Sequence, residues 1–182
     1  LYADDEFKLK QVTDILTVSF SATDVIGHSY GPDRQEQMDN LLRLERTIAA
    51  QRETVFDAWL TADVLKRWWP AGSDWETPIA QVDARVGGKL RLVMRSPDGE
   101  EFGGTGEFTE IERPERLVYS WTWDGHGAHQ GTNLVEVEFR DAGDGTTLVV
   151  LTNRGLPDEE AKRAHREGWQ ASLDNLERVV RE

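Results

Sequence analysis

The spacing of apolar and polar residues changes period several times along the chain, and each change marks an element. Residues 41–50 (LLRLERTIAA) set Leu42, Leu44, Arg46 and Ile48 against their neighbours, a two-residue period that predicts a strand. Residues 53–60 (ETVFDAWL) shift to helical spacing, with Val55, Phe56, Trp59 and Leu60 on one side. A second short helix is predicted over 63–69, ended by Pro70, which cannot continue it. Strands then follow at 79–86, 89–95, 102–111 and 116–123, around Val135 to Phe139, and at 146–153. Leu90, Leu92 and Met94 share one face, as do Leu117, Tyr119, Trp121 and Trp123. Gly87-Gly88, Ser96-Pro97-Asp98-Gly99, Arg113-Pro114 and the run from Asp141 to Gly145 punctuate them as turns.

The last 25 residues read as one amphipathic helix. Asp158 is placed to cap it, and Glu159 and Glu160 suit the positive end of its dipole. Ala161, His165, Trp169, Leu173, Leu176 and Val180 form its apolar stripe. Gly168 interrupts it at about 1 kcal/mol relative to alanine. Either a close approach to a facing strand or space beside a cavity would give that glycine a use.

A strand, two short helices, about six hairpin-connected strands and a long helix define an α+β fold: a curved antiparallel sheet wrapped around the C-terminal helix. A parallel α/β sheet would need helical crossovers between its strands, and none is present. The 182 residues suit one domain of roughly 140 residues, large enough to bury about two-thirds of its unfolded surface, plus an N-terminal appendage. We place the appendage at residues 1–40 and the domain at 41–182.

Charge and composition narrow the functions. Thirty-four acidic against 21 basic residues give a net charge of −13, which argues against nucleic-acid partners and against an acidic membrane surface. No apolar run reaches the roughly 20 residues of a membrane span, and the charged start (LYADDEFKLK) lacks a signal-peptide core. The absence of cysteine removes disulfides and thiolate chemistry and fits a cytoplasmic home. Seven tryptophans stand out, because flat bulky rings line cores and cavities alike.

Four segments in order now become recognisable: ERTIAAQRETVFDAWLTADVLKRWWPAG, VDARVGGKLRLVMRSPDGEE, PERLVYSWTW and EGWQASLDNLERVV. Together they resemble the bacterial START-like (SRPBCC) proteins, and within them the subfamily related to the C-terminal domain of the activator of the heat-shock-protein-90-type chaperone ATPase. Gln51 departs from the proline such proteins often carry, which affects a turn. The resemblance implies a helix-grip fold with an internal cavity but no single activity, since relatives carry lipids, bind or cyclise polyketides, or contact chaperones. Separately, TDILTVSFSATDVIGHSYGPDRQEQMDNLLRLER resembles a fragment of a metal-dependent alkaline phosphatase or phosphodiesterase. That resemblance implies zinc-ligand descent for Asp24 and His28, but the nucleophile segment and other ligands are missing, so both read as vestigial. Met38 would then begin the START-like domain proper. The apolar run 13–20 would pair with a sheet edge, with the domain, or with its own copy in a homodimer.

Within the domain no catalytic residue, metal or cofactor is assigned. Asp124, His126 and His129 lie in a Gly-rich loop that reads as a solvated hairpin connection rather than a metal site. Glu136 and Glu138 share a strand's outer face. Trp69, Met94, Tyr119, Trp121, Trp123, His165 and Trp169 are the cavity candidates, with Trp68 also able to contribute. The plain alternative for the aromatics is core, and for His165 a backbone hydrogen bond. A module for a small apolar or amphipathic ligand is the first functional expectation, a protein-interaction module the second, and a cavity-based cyclase or hydrolase the third.

Overall fold

A computed structural model describes residues 41–70, 72, 74–125 and 131–182. Its elements run β1 (Leu41–Ile48), α1 (Arg52–Leu60), α2 (Ala62–Trp68), β2 (Glu76–Val82), β3 (Lys89–Arg95), β4 (Glu101–Glu112), β5 (Arg116–Trp123), β6 (Thr132–Gly143), β7 (Thr146–Arg154) and α3 (Glu159–Val179). The expected α+β class and helix-grip arrangement are observed. Seven antiparallel strands form one curved sheet in the order β1-β7-β6-β5-β4-β3-β2. The first strand pairs with the last, Leu41 opposite Arg154 and Ile48 opposite Thr147. The other strands follow as a meander of hairpins.

Local chemistry explains the joints. The β6–β7 hairpin closes on Asp144 and Gly145 with φ of 53° and 72°, the left-handed pair that a two-residue turn needs to match strand twist. Register shifts at Phe108/Glu110 in β4 and at Glu76/Ile79 in β2 are bulges of the kind that bend a sheet. The β2 strand lies earlier than the 79–86 of the sequence pattern. Residues 83–88 fold instead into a tight connection, with Asp83 N donating to Lys89 O and Gly88 N to Arg85 O. Asp158 caps α3 as expected, its carboxylate accepting from Ala161 N at 2.8 Å.

The concave face carries the core. Leu117, Tyr119 and Trp121 from β5, Val135, Val137 and Phe139 from β6, and Val149 and Leu151 from β7 are all buried. They meet the buried side of α1 and α2 and the α3 stripe of Ala161, His165, Trp169, Leu173, Leu176 and Val179. The buried residue at the helix end is Val179, with Val180 only half-buried. Arg46 of β1 pairs with Asp174 and Glu177 of α3, an exposed tie worth little energy but fixing where the helix lies. Among the described residues no helix is long and apolar enough to cross a membrane.

Candidate functional site

Building the site starts where α2 stops. Pro70 ends the helix and leaves carbonyls without helical partners. Two α3 side chains satisfy them: Ser172 Oγ donates to Trp69 O at 2.8 Å, and Asn175 Nδ2 donates to Pro70 O at 2.9 Å. This clamp seats the Trp69 indole against α3 and the sheet. Its ring meets Trp169 edge-on at 5.2 Å and 90°, and Trp121 at 5.5 Å. Trp121 in turn meets Trp123 at 5.4 Å and 87°.

The floor beneath Trp121 is made of glycine. A Cβ on Gly104 would lie 2.6 Å from both the Trp121 ring and Thr122 O, and one on Gly106 only 2.1 Å from Ser120 O. Bare backbone on β4 thus lets the indole lie down on the sheet. Gly168 on α3 is the opposite case, since a Cβ there would meet nothing within 4 Å. Of the two uses open to this glycine, space beside a cavity is the one observed.

Between these walls is a cavity of about 380 Å³. Trp69, Met94, Tyr119, Trp121, Trp123, His165 and Trp169 all line it, so the structure brings the seven sequence candidates together. Phe102, Val135, Asn153, Ala164, Glu167, Gly168 and Ser172 complete the wall. Trp68 does not line it. That ring is fully buried in the filled core, tilted at 50° against Trp59 at 4.5 Å, with its N–H donated to Ala58 O at 2.9 Å. Trp169 is buried at 7% exposure and borders the cavity.

His165 is held from both sides. Its Nδ1 lies 2.8 Å from Ala161 O, and Trp123 Nε1–H donates to its Nε2 at 3.2 Å. An Nε2 that accepts leaves the proton on Nδ1, so the ring is the neutral Nδ1–H tautomer donating to the Ala161 carbonyl. The backbone-bonded reading of this residue is the observed one, with an indole added. Tyr119 is 1% exposed, and burial pushes its phenol well above its ordinary pKa. Trp59 Nε1–H is near enough to oppose that shift slightly, yet the two atoms do not meet in hydrogen-bond geometry. Trp121 Nε1 and Asn153 Oδ1 are likewise buried without a hydrogen bond.

Other candidates fall elsewhere. Glu136 and Glu138 lie off the core face, where Glu136 pairs with Arg116 at 2.6 Å and Glu138 with Arg140 at 2.6 Å. Asp124 pairs with Arg91 at 2.6 Å. Asp24, His28, His126 and His129 lie outside the described residues, and among those described no cluster of three or more metal-ligating side chains occurs. Asn153 and Ser172 were missed by the sequence reading. Asn153 carried a signal, a polar residue in step with Val149 and Leu151 on the core face.

A curved antiparallel sheet gripping one long helix, with a cavity between them, defines a START-like domain. Residues 49–181 match the family described as Activator of Hsp90 ATPase homolog 1-like protein, and the chain belongs to that family. A crystal structure of a Chromobacterium violaceum protein superposes with a TM-score of 0.71 at 26% identity, covering 79% of this chain and 99% of that one. The solution structure of the AHSA1-like protein from Aeromonas hydrophila gives 0.62 at 33% identity, covering 77% and 92%. An AHSA1 protein from Silicibacter pomeroyi gives 0.65 at 28% identity, covering 75% and 94%. Alkaline phosphatase PafA from Elizabethkingia meningoseptica is 40% identical over 45 residues. That stretch is 25% of this chain and 8% of the enzyme's length.

Proposed function

We propose that the domain is a binding module that holds a small apolar or amphipathic molecule between the sheet and α3. The observation that carries this reading is the 380 Å³ cavity walled by four tryptophans, within the range of small-molecule sites. Its polar atoms are few and separate, which suits orientation of a ligand better than chemistry on it. Acid–base catalysis needs a titratable group within reach of the reacting atoms, and both His165 nitrogens are already engaged with Ala161 and Trp123.

The family's name points to a chaperone partner, which would call for an exposed apolar patch. The exposed large apolar residues described are Ile79, Val86, Phe102 and Leu134. Ile79 pairs with Val93 and Phe102 with Met94, so these two stand on opposite faces of the sheet. Phe102 belongs to the cavity wall, and apolar residues scattered over both sheet faces form no single patch, which favours the ligand reading over the partner reading.

Native mass spectrometry of the purified chain tests the proposal. The expected result is a bound small molecule that leaves on denaturation. A bare chain that also gains no thermal stability from any compound in an apolar library would contradict it.

A further inference from the structure

The lining of the cavity divides by depth. Trp69, Trp121 and Trp169 are buried, at 3–7% exposure, and wall its inner end. Met94, Trp123 and Gly168 are half-buried, whereas Phe102, Ala164 and Glu167 are exposed, so these residues form the mouth. The sheet register gathers its aromatic side. Phe102 lies opposite Met94 of β3, and Gly104, next along the same face of β4, lies opposite Trp123 of β5. Phe102 and Trp123 are therefore diagonal neighbours on that face, a separation that aromatic side chains span. Trp75 backs the Phe102 ring at 5.6 Å. Across from them on α3, Gly168 follows Glu167, and its missing side chain leaves the way inward open.

The charge of this mouth has one sign. No described lining residue is lysine or arginine, His165 is the neutral tautomer, and the charged group present is the Glu167 carboxylate. Glu159, Asp174 and Glu177 of the same helix pair with Lys162, Arg46 and Arg181. Glu167 makes no salt bridge among the described residues, not even with Arg163 one turn earlier. An unpaired carboxylate beside aromatic rings, whose faces are electrically negative, is a setting that stabilises a cation. The net charge of −13 acts the same way at longer range, drawing cations in and turning anions away. A charge carried to the inner end would lose its water among indoles with no counter-ion, so a ligand's charged group belongs at the mouth.

We infer, resting on the ligand-cavity reading above, that the occupant is a hydrophobic amine held in its protonated form. Its ammonium lies at the mouth, beside the Glu167 carboxylate and the rings of Phe102 and Trp123. Its aromatic or aliphatic body extends inward among Trp69, Trp121 and Trp169.

The test is calorimetric titration of the full chain at pH 7 with three probes of closely matched shape: 2-naphthylmethylammonium, 2-naphthylmethanol and 2-naphthoate. The expected result is an ammonium bound about tenfold tighter than the alcohol, with the carboxylate weakest. That factor is the scale of one cation–π contact added to one partly exposed ion pair. In E167Q the ratio of ammonium to alcohol affinity should fall about threefold, the share of the ion pair. Because Glu167 is exposed and forms no salt bridge among the described residues, that substitution leaves the fold's own contacts in place. Equal binding of ammonium and alcohol, tighter binding of the alcohol or the carboxylate, or a ratio unchanged in E167Q overturns the inference and leaves the cavity reading standing. No binding of any of the three probes overturns both.

Discussion

Two aromatic clusters share the space between sheet and helices, and they end in opposite states. Phe56, Trp59, Trp68 and Phe139 close on one another at 4.5–5.2 Å and leave no lining to the cavity. Trp69, Trp121, Trp123 and Trp169 meet at similar spacings, 5.2–5.5 Å, yet border a hollow. Ring content therefore does not separate core from pocket. The residues opposite the rings do. The first half of α3 presents Ala161, Ala164 and Gly168, whereas its second half presents Leu173, Leu176 and Val179. Small residues leave a gap that fixed rings cannot close, because interiors relax only partly around missing volume. The β4 glycines act in the other direction, drawing Trp121 onto the sheet and away from the space it would otherwise fill.

Truncation should separate the clusters most clearly. Trp68→Ala at the filled end is expected to cost about 3–5 kcal/mol in urea denaturation. Trp169→Ala should cost less, about 2–3 kcal/mol, because one side of that ring already lacks contacts. Equal losses would mean that the hollow end packs as tightly as the filled one. Gly104→Ala forces a methyl into the Trp121 ring and Thr122 O, so a loss of about 1–3 kcal/mol is expected. Asp158→Ala removes the cap of the helix that forms the cavity's roof, for about 1 kcal/mol. The smallest effect has the opposite sign. Gly168→Ala should stabilise by about 0.5–1 kcal/mol, since its methyl meets open space and the helix gains propensity.

The same contrast explains which parts of the molecule could be read from the sequence. Alternation placed Leu117, Tyr119, Trp121 and Trp123 on one face of β5, and helical spacing placed His165 and Trp169 on the inner side of α3. Period alone assigned those directions. It could not tell Trp68 from Trp69, adjacent residues that fall in different clusters because α2 ends between them. Nor could it find the clamp on that end, since Ser172 and Asn175 reach Trp69 and Pro70 across more than 100 residues of chain. The β2 bounds were displaced for a local reason. The backbone bonds of residues 83–88 favour a compact turn over continued pairing. Asn153 was visible as a polar residue in a core position, but its want of a partner shows only once β5, β6 and β7 are side by side.

The measurement that bears most directly on the hollow end is binding of the neutral fluorescent probe N-phenyl-1-naphthylamine to the natural sequence and to G168L. A leucine at that position grows into the cavity from a helix that tolerates it. Saturable binding to the natural chain, weakened at least about tenfold in a variant that melts no lower, is the expected result. Equal binding by both proteins would place the probe elsewhere and contradict the assignment of the cavity as the ligand site.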